Sequence, residues 1–147
     1  MTKEVLVSIS GLQYAEELNQ EPVEVITSGD YYKKNDKHYI IYDEVMEGFE
    51  GTTKNIVKLS DGFLDITKRG AVNVHMMFEK NKKNVTYYYT PYGSLLIGIE
   101  ATKIEMEETE QDIHVTVEYI LEVNYEHMAD CKIKMNVKSK NAGDFKI

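Results

Sequence analysis

Four histidines, His38, His75, His114 and His127, and one cysteine, Cys131, are the side chains best able to hold a metal or relay a proton in this sequence. Their spacing assembles no motif: neither H-x-H nor H-E-x-x-H occurs. The closest approach to ligand spacing is His127-x-x-x-Cys131, which would share one face of a helix. On an extended strand those four steps span about 13 Å, too far for two ligands of one ion at about 2.0–2.3 Å each. No metal and no cofactor is expected. The sequence also lacks a G-x-S-x-G elbow, a Walker-type loop and G-x-G-x-x-G, and Ser94 in "GSLLIG" reads as the first residue after a turn. Acids are abundant, Asp43, Glu44 and Glu47 among them, and acid-rich outer faces are much commoner than a glycosidase-like carboxylate pair. No catalytic residue is assigned.

The residues with a case for binding are of another kind. Glu44 shares strand parity with Ile40 and Tyr42, and Arg69 ends the run "FLDITKRG". A barrel with a cavity uses a few polar groups so placed to orient a ligand; if they do not, they face water or pair at the mouth. Tyrosine is the dominant aromatic, 11 against four Phe and no Trp. Its apolar body and polar tip suit rims, cavity walls and interfaces. In "YYYTPYG", Tyr87 and Tyr89 share one strand face and Tyr88 shares the other with Thr90. Pro91 then stops the strand and suits the second position of a turn, Thr90 to Gly93. The candidate ligand-binding residues are therefore Tyr42, Glu44, Arg69, Tyr87, Tyr89 and Tyr92.

The elements that must carry them alternate with period two almost throughout, and no segment sustains a helical period. Strands are expected near 3–14, 22–33, 37–47, 53–60, 63–69, 72–79, 84–91, 94–108, 113–125 and 129–139, with a helical turn only at 15–21. Short connections make successive strands antiparallel neighbours. An all-β antiparallel meander of about 8–10 strands would leave long edges unless it closes, so a β-barrel is expected, with a two-sheet sandwich as the alternative. In the last two strands the apolar positions are odd-numbered on both, which predicts an odd loop. Five residues, Glu126 to Asp130, would set Glu122 opposite Lys134 and Glu118 opposite Lys138, and three residues would pair Glu122 with Lys132. Either register points Cys131 inward.

At 147 residues the chain is expected to form one domain, 1–147, with one core. A net charge of −8 argues against nucleic acid and anionic membranes as partners, since affinity for them comes from neutralising phosphate. A lone cysteine, no signal-like N-terminal stretch and no membrane-length apolar run together lead to a cytoplasmic expectation. Runs apolar on both faces, Leu95-Leu96-Ile97 and Tyr39-Ile40-Ile41-Tyr42, need cover on both faces, which makes a homodimer an expectation too.

The ordered pieces "YYKKNDKHYIIYDE", "ITKRG", "MMFEKNKK", "YYTPYGSLLIGIEATKI" and "VEYILEVN" resemble the uncharacterised YwiB-like family of Firmicute bacteria, a domain of unknown function. The resemblance spans about residues 3 to 138. It implies a calycin-like barrel, akin in outline to lipocalins and fatty-acid-binding proteins, and brings no activity or site residues with it. Asn35 and Asn81 stand where turn glycines are common, and Asn tolerates the left-handed conformation. The expected role is a small-molecule-binding barrel, with a partly apolar ligand; the alternative is a filled barrel acting through a homodimer or another protein interface.

Overall fold

A computed structural model describes residues 1–11, 24–45 and 51–140 of the chain. It contains ten strands: β1 Glu4–Ser10, β2 Glu24–Lys34, β3 Lys37–Val45, β4 Thr52–Ser60, β5 Phe63–Arg69, β6 Val74–Glu79, β7 Lys83–Thr90, β8 Gly93–Glu108, β9 Asp112–Val123 and β10 Glu126–Ser139. The helical turn expected at 15–21, and Glu47, lie outside the described residues.

All ten strands form one antiparallel sheet, ordered β6-β5-β4-β3-β2-β1-β10-β9-β8-β7, which curls into a nearly closed barrel. The β1–β10 ladder, from Val5 opposite Ser139 to Ser10 opposite Lys134, joins the two halves of the meander. The remaining seam, between β6 and β7, is not a ladder. Asn73 and Tyr89 exchange two backbone hydrogen bonds at one end, Lys82 N–H donates to the Glu79 carbonyl at the other, and the Asn84 amide reaches the Met77 carbonyl between them.

Alternation puts one face of every strand inside. Val5, Val7, Ile40, Val57, Leu59, Leu64, Ile66, Phe78, Ile97, Ile113, Val117, Ile133, Met135 and Val137 are all at 0–1% exposure, and each such apolar side chain contributes roughly 1.5–3 kcal/mol on leaving water. Phe78 meets Tyr119 edge-on across the lumen, at 5.0 Å between ring centroids.

Two β-bulges correct the expected register. β9 and β10 are joined by a two-residue turn, Asn124-Tyr125, with both φ positive (51° and 68°), the geometry that suits a tight hairpin. The extra residue that parity demands is Met128, a bulge within β10 between His127 and Ala129. Cys131 therefore faces Tyr119, Lys132 faces Glu118, Lys134 faces Thr116 and Lys138 faces Asp112, and the expected Glu122–Lys134 and Glu118–Lys138 pairs do not form. The reading of the apolar faces was sound; the inserted residue sits in the strand instead of the loop. In β8 a second bulge at Thr102 shifts the inward set from Ile97, Ile99 and Ala101 to Ile104 and Met106. Next to it, the Ala101 carbonyl accepts the Asn81 N–H at 2.8 Å, which ties the β6–β7 turn to β8.

Because successive strands alternate in direction, the turns fall on two rims. The lower rim carries Asn35-Asp36, Asp61-Gly62, 80–82 and 109–111; the upper rim carries 70–73, Pro91-Tyr92 and Asn124-Tyr125. Asn35 and Asn81 adopt positive φ (53° and 61°), as their turn positions require.

Candidate functional site

The apolar lumen is interrupted by polar side chains at both rims. Beneath the upper rim, inward positions of β3, β4 and β5 supply Glu44, Asn55 and Lys68. Lys68 Nζ donates to Glu44 Oε1 and to Asn55 Oδ1, each at 2.8 Å, and Asn55 Nδ2 donates to Glu44 Oε1 at 3.1 Å. The Lys68 and Glu44 side chains are only 4% and 5% exposed. Removing two charges from water is costly unless each meets the other with further hydrogen bonds, and Asn55 supplies those to both. Thr53 is buried beside them and its Oγ1 accepts the Ala71 N–H, tying the cluster to the β5–β6 turn. Burial, and secondarily the Glu44 carboxylate, push the hydroxyl pKa values of Tyr42 and Tyr88 upward, so both remain protonated donors.

At the lower rim a relay crosses the lumen. Tyr31 of β2 and His38 of β3 meet at 2.6 Å through the hydroxyl and Nδ1, and His38 Nε2 lies 3.2 Å from Glu108 Oε1 at the end of β8. A carboxylate only accepts, so the neutral imidazole carries its proton on Nε2 and Nδ1 accepts from Tyr31. Burial first, and Glu108 second, raise the Tyr31 pKa. His38 is almost wholly buried and Glu108 is partly in water.

The candidates read from sequence divide accordingly. Tyr42 and Glu44 are inside, at 3% and 6% exposure. Arg69 ends β5 on the outside, and the inward cation is its neighbour Lys68, which shares the parity of Leu64 and Ile66. Tyr87 and Tyr89 point outward, half exposed with their rings 5.9 Å apart, and Tyr92 stands 83% exposed in the turn. The inward tyrosine of the triplet is Tyr88, partly buried against the core. Sequence reasoning missed Asn55, Lys68, the inward placement of His38, and Glu108. For the first three the signal was present, because each occupies an inward position of its alternating strand; Glu108 depends on the bulge at Thr102.

Among the described residues, no group of three or more His, Cys, Asp or Glu is arranged to hold a metal, and no helix is long and apolar enough to cross a membrane. His127 pairs instead with Asp130, at 3.2 Å. Cys131 is partly buried against the core, and its thiol pKa is raised by that burial despite a hydrogen bond with Tyr119. Among the described residues, cavities on the outer wall include two of note. One, of about 250 Å³, is lined by Ser28, Asp30, Asp43, Lys54 and Lys140; the other, of about 330 Å³, by Leu6, Ile26, His114 and Asn136 among others.

The fold has relatives. A family model described as a domain of unknown function, DUF1934, matches residues 7–135. The chain is 31% identical over 108 residues to the uncharacterized beta-barrel protein YwiB of Bacillus subtilis (strain 168), covering 74% of this chain and 75% of that protein. It also superimposes on the crystal structure of the ywiB protein from Bacillus subtilis with a TM-score of 0.79, over 93% of this chain and 92% of that one, at 23% sequence identity. On the extent of the family match and the identity to YwiB, the chain belongs to the DUF1934 family of uncharacterised β-barrel proteins.

Proposed function

We propose that the barrel is a binding module whose working end is the upper rim, where it takes a small, partly apolar molecule. One observation carries this reading: among the described residues, the ion pair with both partners buried, Glu44–Lys68, lies beneath the rim at which Tyr92, Leu95 and Tyr125 expose apolar surface. A few convergent polar groups below an apolar lip are what a small-molecule site requires. Tyr88, facing the lumen opposite Leu95 on β8, is the side chain that would give way as a ligand enters. The net charge of −8 supports a partner other than nucleic acid, and the single cysteine supports a reducing, cytoplasmic setting. The test is native mass spectrometry of protein purified from its own host. A small mass that co-purifies with the wild type and is lost from Lys68→Met supports the reading; a bare chain mass from both overturns it.

A second reading has its own observation. Val85, Tyr87 and Tyr89 form an outward stripe on β7, at 50%, 52% and 53% exposure, with Leu96 paired beside Tyr87 and the Lys83–Glu122 ion pair bordering the Val85 end. Such a stripe suits an interface between two copies of the chain. By contrast, Tyr39 has its outer face covered from within the chain, stacked on Tyr32 at 4.7 Å with Lys58 over the ring. Ultracentrifugation at micromolar concentration should find a dimer that Tyr87→Lys converts to monomer; a monomeric wild type removes this reading.

A further inference from the structure

Resting on the upper-rim reading, we infer that the Glu44–Asn55–Lys68 cluster selects a neutral head group that accepts a hydrogen bond, such as an amide or ester carbonyl, over carboxylates and amines. The cluster has no net charge to offer. Lys68 and Glu44 cancel at 2.8 Å, and Asn55, bonded to both, is neutral. A ligand carboxylate close enough to bond Lys68 Nζ would also stand within a few ångströms of Glu44, with water largely excluded from both side chains. A ligand ammonium drawn to Glu44 would meet Lys68 in the same way. In each case an unbalanced charge enters a weakly screened site.

A neutral acceptor meets neither obstacle. An ammonium has three N–H donors, and Lys68 gives two of them to Glu44 and Asn55. Among the described residues the third has no acceptor, and a carbonyl oxygen can take it while the internal pair stays intact. The hydroxyls of Tyr42 and Tyr88, kept protonated, add no negative charge to the site. The alkyl part of such a ligand would lie against Tyr88 and Leu95.

The experiment uses three probes with one alkyl chain and different heads: hexanamide, hexanoate and hexylamine, titrated at neutral pH by calorimetry and by methyl chemical shifts of Leu95 and Ile97. Wild type should bind hexanamide at least about tenfold more tightly than either ion, a difference of about 1.4 kcal/mol. Glu44→Gln leaves the Lys68 charge uncompensated and should invert the order, with hexanoate tightest. Should that variant not fold, Lys68→Met removes the open donor, and hexanamide should weaken about tenfold, the scale of one charge-assisted hydrogen bond. Hexanoate binding to the wild type as tightly as hexanamide would overturn the head-group inference and leave the binding site standing. Silence from all three probes on wild type and variants would overturn the site itself, and the inference with it.

Discussion

At the upper rim both charged side chains are hidden, Lys68 at 4% and Glu44 at 5% exposure; at the lower rim His38 is 3% exposed but its partner Glu108 is 41% exposed. The upper cluster must be satisfied from within the protein. The lower relay runs from a buried hydroxyl through an imidazole to a carboxylate that water can also solvate. The same barrel thus treats its two ends differently: one encloses a balanced charge pair, and the other conducts polarity outward. Loss of a partner should therefore hurt far more above than below.

Glu44→Leu gives the largest expected effect. It strands a buried ammonium and should cost about 3–5 kcal/mol in urea unfolding, whereas the double replacement Glu44→Leu with Lys68→Met should restore most of that loss. Below, His38→Leu strands only the Tyr31 hydroxyl and should cost about 1–3 kcal/mol. Glu108→Gln should stay within about 0.5 kcal/mol, because that carboxylate is already partly in water. If His38→Leu proved costlier than Glu44→Leu, the contrast between the rims would fail.

The turns sharpen the comparison at a smaller scale. Gly93, closing the upper turn, has φ of +133°, and a Cβ there would meet nothing within 4 Å, so the cost of Gly93→Ala is conformational: about 1 kcal/mol or more. At the lower turn Asn35 already tolerates its φ of 53°, and Asn35→Gly should shift the urea midpoint by no more than a few tenths of a kcal/mol equivalent. The smallest effect at neutral pH belongs to Tyr42→Phe. The folded-state pKa of Tyr42 is raised, by burial and then by Glu44, above the unfolded value near 10. Its contribution is therefore complete below about pH 10 and is lost as pH climbs toward and through the folded value. Urea midpoints measured from pH 9 to 11 should fall less steeply in Tyr42→Phe than in wild type.

How much of this was legible follows from what alternation can and cannot encode. Alternation gave the ten strands, the inward face of the last two, and one shared strand face for Ile40, Tyr42 and Glu44, which is the lumen face. Applied to Lys68, Asn55 and His38 with the same rigour it would have assembled most of both rims. The attraction of Arg69 as a strand-ending cation drew attention one residue too far, and one residue in a strand is the difference between lumen and solvent. Bulges are where the rule gives out. Met128 was missed because its strand already looked regular from Cys131 onward, and Thr102 because apolar residues pass from odd to even numbers between Ala101 and Ile104 without a glycine or proline to mark the change. Which lumen residues meet across the barrel, as His38 meets Glu108, depends on closure, and no local pattern records that.

The β6–β7 seam has a consequence for how the chain could be rewired. Read around the barrel from the seam, the strands run β7 to β10 and then β1 to β6, which is the chain order merely rotated. Thr2 N–H donates to Ser139 Oγ at 2.9 Å and Lys140 N–H to the Glu4 carbonyl at 3.1 Å, so the outer ends of β1 and β10 already touch. A circular permutant that joins them with a short linker and opens the chain at Asn81 would turn every ladder of the sheet into a local hairpin. The most non-local pairing, β1 with β10 across the length of the sequence, would become a short-loop closure, the fastest kind a β protein has.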